Sequence, residues 1–440
     1  MKFSKVISLF NIQYKNADME QNDAISLPSK RITVIDALRG FALFGVIITH
    51  MLQRFGIFSG VRPGEPNFPI LDEAVQWLFQ NVIMGRFINI FAFLFGLSFF
   101  IQMDRASKKG IDFRGRFLWR LVLLFVIGMI GTCFTYLDIL PIYALFGVVL
   151  VFLFPLKNWM LMIIVALLLL GTPRIFIVGV DKISNKPTTE VIQSIPQQPD
   201  RGRSRPAASA NENREKPTFF QTAKQNVTRG TMSKFNYQFG VSGRGYVTLA
   251  LFIVGLVVGR IRFFEEVHIK RKRNVVLFLV FLISTLLIDF TIGLLSKEPV
   301  NLFMLMRQGD NIPPVALIVT ALNDINLVLL SGALAMGFVS LYQIKGVKKY
   351  LDTITPYGRM GLTNYEMQGI IGAFLFSAWG FGAIFGTLGA TELFILGVII
   401  YILQAIFSKY WMKNFLYGPL EWIWRSGTYL KWQPFKRNEK

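Results

Sequence analysis

Along the chain, apolar runs about as long as a bilayer core is thick alternate with short polar or basic connections. A helix of about 20 residues crosses a hydrocarbon core of roughly 30 Å. Ten such stretches can be read, at 32–52, 82–103, 117–136, 139–155, 159–180, 246–264, 274–295, 323–342, 361–380 and 392–411. They are continuously apolar and do not alternate, which favours helices over a barrel, because backbone in lipid must satisfy its own hydrogen bonds. The expected fold is therefore all-α, a polytopic membrane bundle of about ten transmembrane helices. Residues 71–80 read as an interfacial amphipathic lead-in to the second stretch.

Basic residues order these segments relative to the membrane, since Lys and Arg in short connections mark the cytoplasmic side. Lys30 and Arg31 precede the first stretch, and Arg105, Lys108, Lys109, Arg114 and Arg116 follow the second. Arg260, Arg262 and Lys270 to Arg273 follow the sixth, Lys345, Lys348 and Lys349 follow the eighth, and Lys431, Lys436, Arg437 and Lys440 close the chain. With ten spans all these clusters fall on one side. Residues 1–31 and 416–440 then read as cytoplasmic tails, 32–180 and 245–415 as two halves of five spans, and 181–244 as an extracytoplasmic loop. That loop is rich in Pro, Gln, Ser and Arg, including Pro187, Pro196, Pro206, Arg201, Arg203 and Arg205, and so reads as flexible.

Composition agrees: 53% hydrophobic residues and a mean hydropathy of +0.47 exceed what a soluble chain of 440 residues needs for its core. The net charge of +21 does not argue for nucleic acid, because the basic residues sit in clusters between apolar segments, where orientation and lipid headgroups account for them. A single cysteine, Cys133, excludes a disulfide framework and a Cys-based zinc site. With only His50 and His268, a multi-histidine metal centre is set aside as well. Lys2 and Lys5 precede an apolar run broken by Asn11, Gln13 and Lys15, which is no signal-peptide core.

Charges at membrane depth are costly, so function is sought among those that remain. The run IDALRGFALFGVIITH places Asp36, Arg39 and His50 on the first helix. Asp36 and Arg39 are three apart and can pair on one face, and His50 lies on that face roughly 16 Å further along. The plainer reading of this stripe is an interfacial ion pair with a snorkelling arginine. Gly40 and Gly45 beside it would let another helix or a ligand approach closely. Further polar residues are Arg86 and Asn89 in GRFINIFAFLFG, Asp138 in YLDILPIYALFG, Asp289, Asp324, and Arg359, Asn364, Glu366 and Gln368 in YGRMGLTNYEMQG. Asn364 and Gln368 share a helix face. Taken singly, each of these is more ordinarily a packing hydrogen bond than a catalyst. No P-loop, serine nucleophile elbow or His-Glu zinc motif is present.

Four segments, RITVIDALRGFALFGVIITH, RFINIFAFLFGLSF, LDILPIYALFG, and GRMGLTNYEMQGIIG with GPLEWIWRSGTY, together resemble the YeiB-type family of uncharacterised bacterial membrane proteins. The opening Arg, Asp and Arg-Gly arrangement is also similar to the start of the acyltransferase-3 and heparan-alpha-glucosaminide N-acetyltransferase families. In those, a helical bundle is thought to pass an acyl group from a cytoplasmic donor to an acceptor across the membrane. The resemblance implies an O- or N-acyltransferase in the bacterial inner membrane. It would have no tightly bound cofactor, acetyl-CoA or another acyl-CoA as donor substrate, and a small-molecule, glycan or lipid acceptor. Homo-oligomers are compatible with it. Under this reading Arg39, with Arg359, holds donor phosphates and Asp36 orients Arg39. His50 acts as general base, an imidazole near neutrality suiting that task. Asn364 and Gln368 polarise the acyl carbonyl, and Arg86, Asn89 and Asp138 contribute to substrate binding. Relatives often have Asn at the position of His50, and His where this chain has Gly131. A transporter or exporter of a small solute is the rival reading, and a structural envelope protein the third.

Overall fold

The computed structural model describes residues 32–57, 67–184, 216–308 and 312–437. The tail 1–31 and residues 185–215 of the expected loop lie outside them. Twelve helices matter for the site: α1 Thr33–Leu52, α2 Arg86–Ser107, α3 Arg114–Phe134, α4 Leu140–Leu153, α5 Asn158–Leu169, α6 Thr231–Phe239, α7 Arg244–Arg260, α8 Arg271–Leu295, α9 Pro314–Tyr342, α10 Gly361–Phe376, α11 Ala390–Asn414 and α12 Pro419–Tyr429. Among the described residues there is no β-strand, only one isolated bridge between Phe415 and Lys436.

Every one of the ten apolar stretches contains a helix, but fewer than ten of those helices are shown to be long enough to cross a bilayer. Six described helices have the length and apolarity to span, or eight if two bent pairs are each one span. The pairs are α5 with the following 172–180 helix, bent by 50°, and Phe219–Phe239 with α7, bent by 67°. The physical limit is rise per residue: the 14 residues of α4 and 16 of α10 reach only roughly 21 and 24 Å, short of a hydrocarbon core. Helix α4 starts on Pro141 in its first turn, and α10 ends where Ser377 turns extended.

Burial separates two kinds of apolar helix. In the most apolar stretch of α1, 72% of residues are buried inside the protein, against 6% for α8. Both are apolar on most faces, so α1 is the packed centre and α8, with Val276, Ile283, Leu287 and Phe290 outward, is sheathed by lipid. Close contact at the centre depends on missing side chains. A Cβ on Gly45 would stand 1.9 Å from Cγ of Phe87, and one on Gly96 would stand 2.0 Å from the Phe252 carbonyl oxygen, so α2 crosses α1 and α7 almost backbone to ring and backbone to backbone. Gly255 answers from α7, its Cβ position 2.2 Å from the Phe93 carbonyl oxygen.

The polar stretch before α7 is not a featureless loop where it is described. Thr218 opens a helix with a reciprocal capping box, its Oγ1 accepting from Gln221 N (3.3 Å) while Gln221 Oε1 accepts from Thr218 N (2.9 Å). Helix then runs on through Phe219–Gln225, Asn226–Gly230 and α6. Phe219 packs on Phe134 and Phe235 on Phe239, and Asn226 Nδ2 donates to the Cys133 carbonyl (3.3 Å). The Phe219 and Asn226 contacts fix the segment against the end of α3. The 71–80 lead-in is the helix Pro69–Leu78, which carries Ile70, Leu71 and Trp77 exposed and Asp72 buried.

Candidate functional site

The charged residues at membrane depth separate into groups at different ends and faces of the bundle. One group encloses a cavity of about 10 Å³, room for about one water molecule, lined by His50, Gly131, Thr135, Asp138, Tyr365, Glu366 and Gly369. His50 arrives on the last turn of α1, Gly131 on the last turn of α3, Asp138 on the connection before α4, and Tyr365 and Glu366 on α10. Asp138 is held by its own helix start, because Oδ1 accepts from Leu140 N at 2.9 Å, one of the donors that a new helix leaves unpaired. Its other oxygen is thereby aimed inward. Tyr365 is fixed from the same side, its hydroxyl accepting from Ile139 N (3.1 Å).

Gly131 makes the two carboxyl groups neighbours. The point where its Cβ would stand is 2.2 Å from Asp138 Oδ2 and 2.3 Å from Glu366 Oε2, so those oxygens are separated by no more than the sum of the two distances. Any side chain at 131 would displace one of them. Asp138 is 2% exposed and Glu366 7%, and neither Asp138 Oδ2 nor Glu366 Oε1 has a hydrogen-bond donor among the described residues. Buried polar atoms are nearly always partnered, so two neighbouring carboxyl groups that each carry an oxygen without an N–H donor point to a proton shared between them.

The cation beside them is Lys234 from α6, itself 7% exposed. Its Nζ donates to Thr132 Oγ1 at 3.2 Å and lies within Coulombic reach of both Asp138 and Glu366. Two carboxyl groups and one ammonium in a water-poor site leave one negative charge over, which a single proton held at the carboxyl pair balances. His50 is part-exposed and makes no hydrogen bond among the described residues. Its ring meets Phe55 at 5.1 Å and Tyr365 at 6.2 Å between centroids, and the Phe55 carbonyl is anchored by Thr135 Oγ1 at 2.9 Å. Taken together, the site can accept a proton, hold it away from bulk water, and present a partly accessible imidazole to a small polar group. Among the described residues no three His, Cys, Asp or Glu side chains converge as a metal site.

The other residues singled out in the sequence stand elsewhere. Asp36 and Arg39 pair at 2.9 Å at the opposite end of α1, where Arg39 also donates to Ser98 Oγ (3.1 Å) and to the Gly358 carbonyl (3.4 Å). Arg359 donates to the Leu416 carbonyl at 3.5 Å. Arg86 closes the turn before its own helix, on the carbonyls of Gln80 and Met84 (2.7 and 2.8 Å). Asn89 bridges α2, α7 and α9, donating to Ser331 Oγ (3.1 Å) and accepting from Arg244 Nη2 (2.6 Å). Asn364 donates to Ser408 Oγ (2.9 Å) and the Tyr357 carbonyl (3.0 Å), and Gln368 to the Tyr357 hydroxyl (2.7 Å). Glu366 is two residues from each of these, about 200° around the helix, so the amide pair faces α11 while the carboxyl faces the cavity. Of the residues given a role from the resemblance, only His50 and Asp138 line this cavity. Glu366 was visible as a charge in an apolar run, whereas Lys234 and Tyr365 carried no signal of their own.

Two matches divide the chain at this site. Residues 31–183 match the family described as heparan-alpha-glucosaminide N-acetyltransferase, catalytic, and residues 258–431 match the one described as protein of unknown function (DUF418). The resemblance to the YeiB-type family holds. The Escherichia coli (strain K12) protein titled uncharacterized protein YeiB is 35% identical over 99 residues, 21% of this chain and 25% of that one. Uncharacterized protein YxaH of Bacillus subtilis (strain 168) is 26% identical over 94% of this chain and 98% of its own. An uncharacterized 39.9 kDa protein in the amylase 3′ region of Bacillus acidopullulyticus is 25% identical over 92% and 96%. His50, Gly131 and Asp138 fall in the first matched region and Tyr365 and Glu366 in the second. Lys234 falls between them.

Proposed function

We propose that the chain is a membrane-embedded acyltransferase, moving an acyl group from a cytoplasmic acyl-CoA to an envelope or extracytoplasmic acceptor. The observation that carries this reading is the buried cavity where His50 meets the Asp138 and Glu366 pair, with Lys234 beside it. The match of residues 31–183 to an acetyltransferase catalytic family supports it. In the proposed reaction His50 takes the proton from an acceptor hydroxyl or amine. The freed lone pair attacks the thioester carbonyl, the carbon–sulfur bond breaks, and the thiol leaves with a proton returned from the site. The carboxyl pair and Lys234 hold the charge balance while the imidazole is protonated. Donor phosphates belong in this reading at the Arg39 end of α1, roughly 16 Å from His50 along the helix, a gap that the extended arm of an acyl-CoA bridges.

Both termini are proposed to be cytoplasmic in a bacterial inner membrane, on the distribution of Lys and Arg. Purified protein in lipid nanodiscs, given acetyl-CoA labelled in the acetyl group and a pool of envelope extract, should transfer label to a lipid or glycan fraction. A wild-type protein that neither retains nor transfers label removes this reading. The same buried acid–lysine cluster also suits proton-coupled export of a small solute. That second reading predicts proton uptake driven by solute with no label transferred.

A further inference from the structure

We propose that the corner where α12 packs on the start of α3 is a binding site for a phosphate-bearing anion. Arg116 and Arg120 are four apart on α3, and Arg425 and Tyr429 are four apart on α12, so each pair shares one helix face. The two faces meet. The Arg116 and Arg425 guanidinium carbons lie 5.7 and 5.3 Å from the centre of the Tyr429 ring, and that of Arg120 lies 3.6 Å from the centre of the Trp424 ring. Arg425 also stands 5.1 Å from the Tyr417 ring. Indole hydrogen bonds clamp the corner: Trp119 Nε1 donates to the Gly427 carbonyl (3.0 Å) and Trp424 Nε1 to the Arg120 carbonyl (2.9 Å).

Three guanidinium groups are thus held together, with Arg120 and Arg425 near enough to repel one another. Neither Arg116 nor Arg120 forms an ion pair among the described residues. Arg120 Nε is buried without a hydrogen-bond partner. At Arg116 and Arg120 a ring takes the face of the guanidinium and leaves the rim of N–H donors for the paired oxygens of a phosphate. Arg116 and Arg120 bring two positive charges outside any ion pair among the described residues, which a phosphate group balances and a single carboxylate does not. Ile423, Leu430 and Trp432 are exposed around the corner, as at a membrane–water boundary. An anionic lipid headgroup and a soluble nucleotide-type ligand both fit this chemistry.

The test uses the full chain in phosphatidylcholine nanodiscs, with two probes. The first is phosphatidylglycerol, added to the nanodisc and read as retained lipid by native mass spectrometry. The second is adenosine 3′,5′-bisphosphate, read by titration calorimetry. Wild type should bind one of them, lipid retention assigning the headgroup and calorimetric binding the soluble source. Arg116→Gln and Arg120→Gln should each weaken that binding by about tenfold or more, and Lys349→Gln, an exposed lysine elsewhere, should leave it unchanged. Arg120 packs tightly on Trp424, so if Arg120→Gln fails to fold, Arg116→Gln with its looser ring contact decides. Binding of neither probe by wild type overturns the proposal, as does undiminished binding by Arg116→Gln. Both readouts are independent of acyl transfer.

Discussion

The two polar faces of α10 carry similar side chains in different settings. On one, Asn364 and Gln368 donate to Tyr357 and Ser408, and Tyr357 in turn donates to Gln404 Oε1 (3.0 Å), a neutral amide and hydroxyl network in which Gln368 Oε1 alone lacks a donor among the described residues. On the other, Glu366 and Asp138 present oxygens without donors to a water-sized space. Buried polar networks that are satisfied specify packing, and those left unsatisfied cost stability unless chemistry retains them. The difference separates a residue type that sequence marks equally on both faces. Polarity inside the bundle marks importance, while reactivity needs ionisable groups brought together, here two carboxyl groups beside a cation and a water-sized space.

The largest expected effect breaks this comparison if it fails. Glu366→Gln and His50→Ala should lower acyl transfer by about 10²- to 10⁴-fold at unchanged donor binding, the range general acid–base groups supply. Asn364→Ala should lower the melting temperature yet leave the residual rate per folded molecule within a few-fold. A folded Asn364→Ala protein with transfer lost would return the amide pair to the carbonyl-polarising role implied by the family resemblance.

The second effect sharpens the electrostatic half. Removing Lys234 as Lys234→Met leaves a buried carboxyl pair without its cation, and stranding one partner of a buried ion pair costs on the order of 3 to 5 kcal/mol. Adding both Asp138→Asn and Glu366→Gln to that variant should recover much of the loss, because the negative charge left on the pair goes with them. Detergent melting of Lys234→Met, of the double carboxyl variant and of the triple variant gives the coupling. Simple additivity would mean that Lys234 does not sense the carboxyl pair.

Much of the framework was legible in the chain. Runs of bilayer length became helices because a backbone in lipid has no other neighbour-independent way to pair its groups. What the runs concealed was where helices stop, since α4 ends at Leu153, just before Pro155, and α10 where Ser377 turns extended, without breaking the apolar pattern. At the site, His50 and Asp138 stood out because charge or imidazole in an apolar run is rare. The Asn364 and Gln368 pairing on one face was also legible, and both reach Tyr357. Their direction was not, because helix periodicity fixes relative angle and only packing fixes which face meets which neighbour. Lys234 was hidden for a different reason: averaging composition over 181–244 let the proline- and arginine-rich part speak for the helical part.

The smallest expected effect tests that last point, the folded state of the segment that delivers Lys234. If Phe219–Phe239 is a docked helical unit, its start depends on the Thr218 and Gln221 capping box. Thr218→Ala removes the acceptor for Gln221 N, and loss of a cap costs about 1 kcal/mol. The residues of this box are exposed and far from the packed centre. The loss should therefore appear as local opening, with little change in global melting. Hydrogen exchange of amides in 219–225 should quicken by about fivefold, which is 1 kcal/mol expressed as an opening constant, while α1 and α2 amides stay as in wild type. Thr218→Asp should restore protection, since a carboxylate caps as well and favours a helix start. Unprotected amides across 219–239 in the wild-type protein would show the segment undocked, and Lys234 would then lose its place beside Asp138 and Glu366.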